Sequence, residues 1–224
     1  MQDPQKEAIH DQIIEKIIDK SSSDYPFAVF IGGGAASGKS AIRDNIIIPW
    51  LGDSAVIIDA DIIKNWLDHQ QLPGIDEEKT SIQIHKESKH IAHKAINLCL
   101  ENKIPFIYDS SLAAPPQEYL PFIHLAKQKR FYLIIIGVHA SEDIALAREK
   151  ERSKKINRKV PTRILHYFHD HFPATFVSIE KEFDLMRIYD NSINGALPSL
   201  VAERDSSGLH IVNQEKFREF IQKT

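Results

Sequence analysis

The sequence predicts an α/β fold in which a five-stranded, mainly parallel sheet carries helices on both faces. Two observations point there. Runs at Phe27 to Ile31, Ala55 to Asp59, Ile104 to Tyr108, Phe131 to Val138 and Met186 to Tyr189 are apolar almost throughout and alternate with stretches of helical periodicity. Strands that read as continuously apolar are buried on both faces, as in parallel sheets. The second observation is the segment directly after the first run, where Gly33-Gly34-Ala35-Ala36-Ser37-Gly38-Lys39-Ser40 fits G-x-x-x-x-G-K-[ST]. In such a loop the glycines let backbone N–H groups turn around an anion. Lys39 can reach the β- and γ-phosphates, and the Ser40 hydroxyl can ligate Mg²⁺ while a helix begins behind it. Residues Gly33 to Ala41 are therefore the expected nucleotide-binding segment of a P-loop NTPase or kinase fold.

The remaining elements are taken in chain order, within one expected domain spanning residues 1–224. Residues 1–24 form an N-terminal amphipathic helix, because Ile9, Ile13, Ile14, Ile17 and Ile18 fall at helical spacing between charged residues. Behind the loop a helix runs from about Gly38 to Pro49, where a residue without an N–H should stop it. The strand at 55–59 leads into a short helix with Ile62, Ile63, Trp66 and Leu67 on its apolar side, broken at Leu72-Pro73-Gly74. A long helix from about Thr80 to Glu101 contains Cys99, read as a small buried hydrophobe. Pro115-Pro116 opens a helix reaching about Lys129. A charged helix at 142–155, a loop at 157–161 and helices to about Glu182 come next. Residues 192–224 hold a hairpin around Ser206-Ser207-Gly208 and a final helix near Gln214 to Gln222.

Composition bounds the function. With 42% hydrophobic and 26% charged residues the chain is an ordinary globular protein, and a net charge of −3 offers no basic surface to nucleic acid or to a membrane. A single cysteine excludes an intramolecular disulfide and Cys-based zinc sites, and fits a reducing compartment. No apolar run approaches the roughly 20 residues that span a bilayer. The cytoplasm is the expected location.

Three groups could do chemistry. Asp59 and Asp61 alternate at the end of the second strand, so both can project toward the phosphate loop. Phosphoryl transfer needs positioning, charge neutralisation and a base that orients the attacking hydroxyl, and one carboxylate could be that base. The alternative is that both cap the following helix. Arg148, Arg152 and Arg158, with lysines between them, occupy a helix and loop placed to close on phosphates as a lid. Arg148 and Arg158 are the expected transition-state contacts. Asp109, Ser110 and Ser111 end the third strand, where they could bind substrate hydroxyls or form a plain turn. The histidines at 166, 169 and 171, and those at 85, 90 and 93, match no recognised zinc spacing and are read as structural. No Asn-Lys-x-Asp guanine motif is present, and Ala60 interrupts the acidic pair of a DNA-directed ATPase.

The ordered set GGGAASGKS, VIIDADIIK, HKESKHIA, FIYDSSL, ALAREKERSKKINRKVP and FDLMRIYDN resembles the zeta-toxin family of P-loop kinases over roughly Phe27 to Asn191. The resemblance implies an ATP-dependent, Mg²⁺-requiring kinase that phosphorylates a hydroxyl of a small molecule, the best-characterised members acting on the 3′-hydroxyl of UDP-N-acetylglucosamine, so that this or a related nucleotide sugar is the expected acceptor. It also implies a small antitoxin protein as partner. By motif, Lys39 matches the loop lysine, Ser40 the Mg²⁺ ligand, Asp61 the base, and Arg148 and Arg158 the lid arginines. Asp59, Asp109 and Ser111 fall at substrate-contacting positions. The chain departs from the family with Ser111 in a threonine position, Ser110 where glycine is common, and a shorter lid.

Overall fold

In a computed structural model of the chain, residues 4–68, 80–156 and 161–222 are described. Seven strands form one sheet in the order β2-β3-β1-β4-β5-β6-β7. The five at one side are parallel: β2 (Val56–Asp59), β3 (Phe106–Asp109), β1 (Phe27–Gly33), β4 (Tyr132–His139) and β5 (Leu185–Asp190). Burial on both faces explains their composition. Val29, Phe30 and Ile31 of β1 are completely buried, Phe30 in the cluster on one face and Val29 and Ile31 in that on the other.

The expected C-terminal hairpin is present, and it extends the sheet. β6 (Ser199–Asp205) pairs antiparallel with β5 and β7 (Gly208–Ile211) with β6, so the sheet has seven strands rather than five. The physical reason is the open edge of β5, whose unpaired N–H and C=O groups β6 satisfies. Single-strand periodicity carries no information about that pairing.

The helices cover both faces: α1 (Pro4–Ile17), α4 (Ala60–Asp68), α5 (Thr80–Glu101), α6 (Leu120–Gln128), α7 (Glu142–Ile156), α8 (Thr162–Ile179) and α9 (Gln214–Ile221), with α2 (Lys39–Ile42) and α3 (Ile48–Leu51) behind the phosphate loop. Pro49 does not stop that helical run, which continues to Leu51. The turns widen to a π-helix over Arg43–Ile47, so Ile48 N–H reaches back to Arg43 O before the proline that has no N–H to give. Pro173 likewise lies inside α8. Cys99 is buried, and burial pushes its thiol up to about 12, so it is an inert core residue as expected. Among the described residues no helix is long and apolar enough to cross a membrane.

Candidate active site

Strand register sets the site. Asp59 pairs in register with Asp109, and Asp109 with Ile31, so the ends of β2, β3 and β1 lie in one row where the sheet gives way to the phosphate loop. β1 continues to Gly33, and Gly38, at φ 95° in the left-handed region, starts α2. A glycine is required at Gly38 twice over, because a Cβ there would also meet Asn191 Nδ2 at 2.0 Å. Ala36 also takes a positive φ of 58°, a local strain held by the surrounding contacts.

Four segments remote in sequence hold this loop. Gly33 N–H donates to Ser111 O at 3.2 Å, which ties the β3 end to the loop entrance. His169 of α8, buried, places Nε2 3.0 Å from Ala35 O, and its ring leaves Gly34 no room for a Cβ. Asn191 Nδ2 donates to Ser37 O at 2.9 Å, and Arg148 Nη1 approaches the same oxygen at 3.4 Å while its Nε donates to Asn194. Lys39 Nζ donates to the carbonyls of Gly33 and Gly34 at 3.0 and 3.3 Å. Ser37 Oγ is buried without a hydrogen-bond partner. Such a loop fits a polyphosphate: the lysine is parked on carbonyls that phosphate oxygens would replace, and an orphaned hydroxyl lies within the turn.

The carboxylate side is organised by a residue that sequence reasoning missed. Arg43, on the π-helical stretch four residues after Lys39, has its side chain 9% exposed and donates from Nη1 to Asp59 Oδ2 at 2.9 Å and Asp109 Oδ2 at 2.8 Å, and from Nε to Asp44. A basic residue one turn behind the loop lysine was the available signal. Burial pushes Asp109 up to about 6, against the pull of Lys39 and Arg43 and with help from the charge of Asp59. Asp59 caps α4: its Oδ1 accepts from the backbone N–H of Asp61 at 2.8 Å and of Ile62 at 3.3 Å. Both its oxygens are therefore engaged. Asp61 is exposed in the first turn of α4, at the mouth of this cluster.

The other expected residues are more dispersed. Ser40 and Ala41 are exposed in the first turn of α2. Ser110 and Ser111 shape the loop after β3, their hydroxyls accepting from Leu112 and Ala113 N–H, and Leu112 has a positive φ of 47°. Thr175 Oγ1 of α8 donates to Ala114 O in that loop at 2.9 Å, so α8 contacts the phosphate loop and the β3 loop together. Arg152 pairs with Glu149 at 2.7 Å, one turn back on α7. Arg158 lies outside the described residues. The three histidines of α8 have separate partners: His166 Glu142, His169 Ala35 and His171 the Tyr167 carbonyl. His169 and Asn191 were both in view in the sequence, yet nothing local marked them as loop braces.

Comparison with known proteins agrees with this architecture. The family described as Zeta toxin matches residues 11–197. A structure from work on the PezAT chromosomal toxin-antitoxin system of Streptococcus pneumoniae aligns with a TM-score of 0.73 at 15% identity, covering 97% of this chain and 87% of that one. AvrRxo1-ORF1:-ORF2 with ATP aligns at 0.76 and 14% identity, covering 99% and 74%. A Chloroflexus aurantiacus protein described as a putative kinase aligns at 0.50 and 18% identity, covering 64% and 74%. No curated protein matches the sequence.

Proposed function

The chain belongs to the zeta toxin family and is a phosphotransferase, and from that premise we propose that it transfers the γ-phosphate of ATP to a hydroxyl of a small molecule, a nucleotide sugar such as UDP-N-acetylglucosamine being the first candidate. The observation that carries the reading is the row formed by the ends of β1, β3 and β2, which brings Asp59 and Asp109 together where β1 runs into the loop, with the charges of Lys39 and Asp61 both felt at Asp109.

The roles follow from chemistry. Loop N–H groups and Lys39 hold the β- and γ-phosphates, and Arg148, already against the loop, neutralises charge on the transferring group. Asp61 takes the proton of the acceptor hydroxyl as its oxygen bonds to the γ-phosphorus, and ADP leaves with the electrons of the broken P–O bond. Asp61 is exposed in the first turn of α4. Asp109 and Ser111 lie where the acceptor would dock, Asp109 through the oxygen that Arg43 does not hold. Asp59, fully used as cap and ion-pair partner, is assigned to the walls of the acceptor site rather than to a direct substrate bond. Oxygen donors are what Mg²⁺ takes, and Ser40 Oγ fits as its protein ligand; when bound, the ion would neutralise phosphate charge. Arg158 is proposed as a second lid contact on the resemblance alone.

A partner protein that holds the kinase inactive is proposed by analogy with the PezAT toxin-antitoxin system. The decisive test incubates the protein with [γ-³²P]ATP and a panel of nucleotide sugars, beside a control without acceptor. A labelled product in the UDP-N-acetylglucosamine lane supports the full reading. Hydrolysis alone, whatever the acceptor, would overturn it.

A further inference from the structure

Away from the carboxyl edge, α1 and α5 pack together carrying the same short pattern, Glu7-x-x-His10 on one and Glu87-x-x-His90 on the other. A spacing of three puts a carboxylate and an imidazole one turn apart on a single helix face. One ligand atom each from Glu7, His10 and His90 lies within 4.8 Å of the others, and Glu87 Oε2 stands 3.2 Å from His10 Nε2. The two imidazole centroids are 5.6 Å apart. His10 is 1% exposed, yet neither of its ring nitrogens makes a hydrogen bond of good geometry. Nδ1 of this buried imidazole has no partner and Nε2 has only the Glu87 carboxylate beside it, a condition that an unfilled ion site accounts for.

We propose that Glu7, His10, Glu87 and His90 bind one divalent transition-metal ion of the zinc, cobalt or nickel class, which clamps α1 onto α5. The ligand set selects the class. Two imidazoles favour borderline metals, whereas Ca²⁺ and Mg²⁺ want oxygen donors and concentrated negative charge. That charge is missing, because Lys94 Nζ pairs with Glu7 and Lys6 Nζ with Glu87. The lysines instead orient the carboxylates: Lys6 holds Glu87 Oε1 and leaves Oε2 toward His10, and Lys94 holds Glu7 Oε2 and leaves Oε1. Tetrahedral zinc with bonds of about 2.0–2.1 Å sets its ligand atoms roughly 3.3 Å apart, so the cluster must contract. Exposed His90 and half-buried Glu7 can do so by rotamer changes while buried His10 stays fixed. Neither helix carries Lys39, Asp61 or Arg148, so occupancy and catalysis can be measured apart.

The test uses the full chain freed of metal with EDTA, titrated with Zn²⁺ by calorimetry and with Co²⁺ by visible absorption. The expected result is one equivalent of Zn²⁺ bound with a Kd below about 10 μM, a higher Tm, and Co²⁺ bands of a four- or five-coordinate N/O site. His90→Gln, on the surface, should leave the Tm of the metal-free protein unchanged and weaken Zn²⁺ binding at least about tenfold; His10→Gln should abolish it. Two results would overturn the proposal. One is no Zn²⁺ uptake below about 100 μM. The other is stoichiometric uptake that His90→Gln leaves intact, which would place the ion elsewhere, such as at Asp59 and Asp109.

Discussion

The donor and acceptor halves of the candidate site are held by different physics. On the donor side the phosphate loop is fixed through its own backbone carbonyls, which accept from or face His169, Asn191, Arg148 and Lys39. On the acceptor side the geometry depends on one cation, Arg43, placed between Asp59 and Asp109. Many modest contacts to backbone degrade gradually when one is lost. A buried charge cluster fails at once when its central member goes, because the remaining carboxylates face each other without compensation. The donor half should therefore tolerate single changes in its braces, and the acceptor half should not.

The largest expected effect separates the halves directly. Asp61→Ala should lower kcat by about 10²–10⁴-fold while ATP binds within about threefold of wild type, since general-base loss acts on the chemical step alone. Lys39→Ala should lose nucleotide affinity and rate together. Equal loss of ATP affinity in both variants, measured by equilibrium titration, would show that the division is false.

Arg43→Met tests the claim that a single charge holds the acceptor side. It should cost about 3–5 kcal/mol in urea unfolding, and adding Asp109→Asn should restore part of that. A loss under about 1 kcal/mol would mean the cluster is solvated and the comparison overstated.

A pH series sharpens the same point. Asp109 is pushed from 3.8 up to about 6. Between those values the folded protein therefore binds more protons than the unfolded chain, and wild type loses stability as pH rises through that window, the full penalty being present above about 6. The bound is on the order of 3 kcal/mol. Asp109→Asn lacks this titration, so its stability relative to wild type should improve between pH 4 and pH 7 in paired denaturant melts. A constant gap would place the Asp109 proton affinity in the ordinary range.

The smallest effect belongs to the donor braces. His169→Ala removes one contact to Ala35 O and should weaken ATP binding by about fivefold, equivalent to about 1 kcal/mol, with kcat unchanged and His169→Gln recovering most of the loss. A collapse of kcat would make His169 more than a positioning residue.

Legibility in the sequence tracked the range of the interactions. The parallel strands were readable because burial on both faces writes itself into consecutive apolar residues such as Val29, Phe30 and Ile31. The loop was readable because the G-x-x-x-x-G-K-[ST] pattern is confined to eight neighbouring residues. The seven-strand width was not, since the pairing of β6 with β5 is a contact between edges that leaves no periodic mark. Pro49 misled for a related reason: its local cost is real, but the π-helical turn over Arg43–Ile47 absorbs it.

For the site itself, the sequence alone singled out Lys39, Ser40 and Arg148 as the groups expected to meet a nucleotide, and with them the carboxylates at the ends of the second and third strands. Only the tertiary structure decided their division of labour: Asp59 capping a helix, Arg43 joining two strand ends, His169 and Asn191 bracing the loop, and Glu7 with His10 meeting Glu87 with His90 across two helices. The reason is distance along the chain. A motif is fixed by residues that must be adjacent to work, whereas charge neutralisation and hydrogen-bond satisfaction accept any partner the fold brings near, from any position in the sequence.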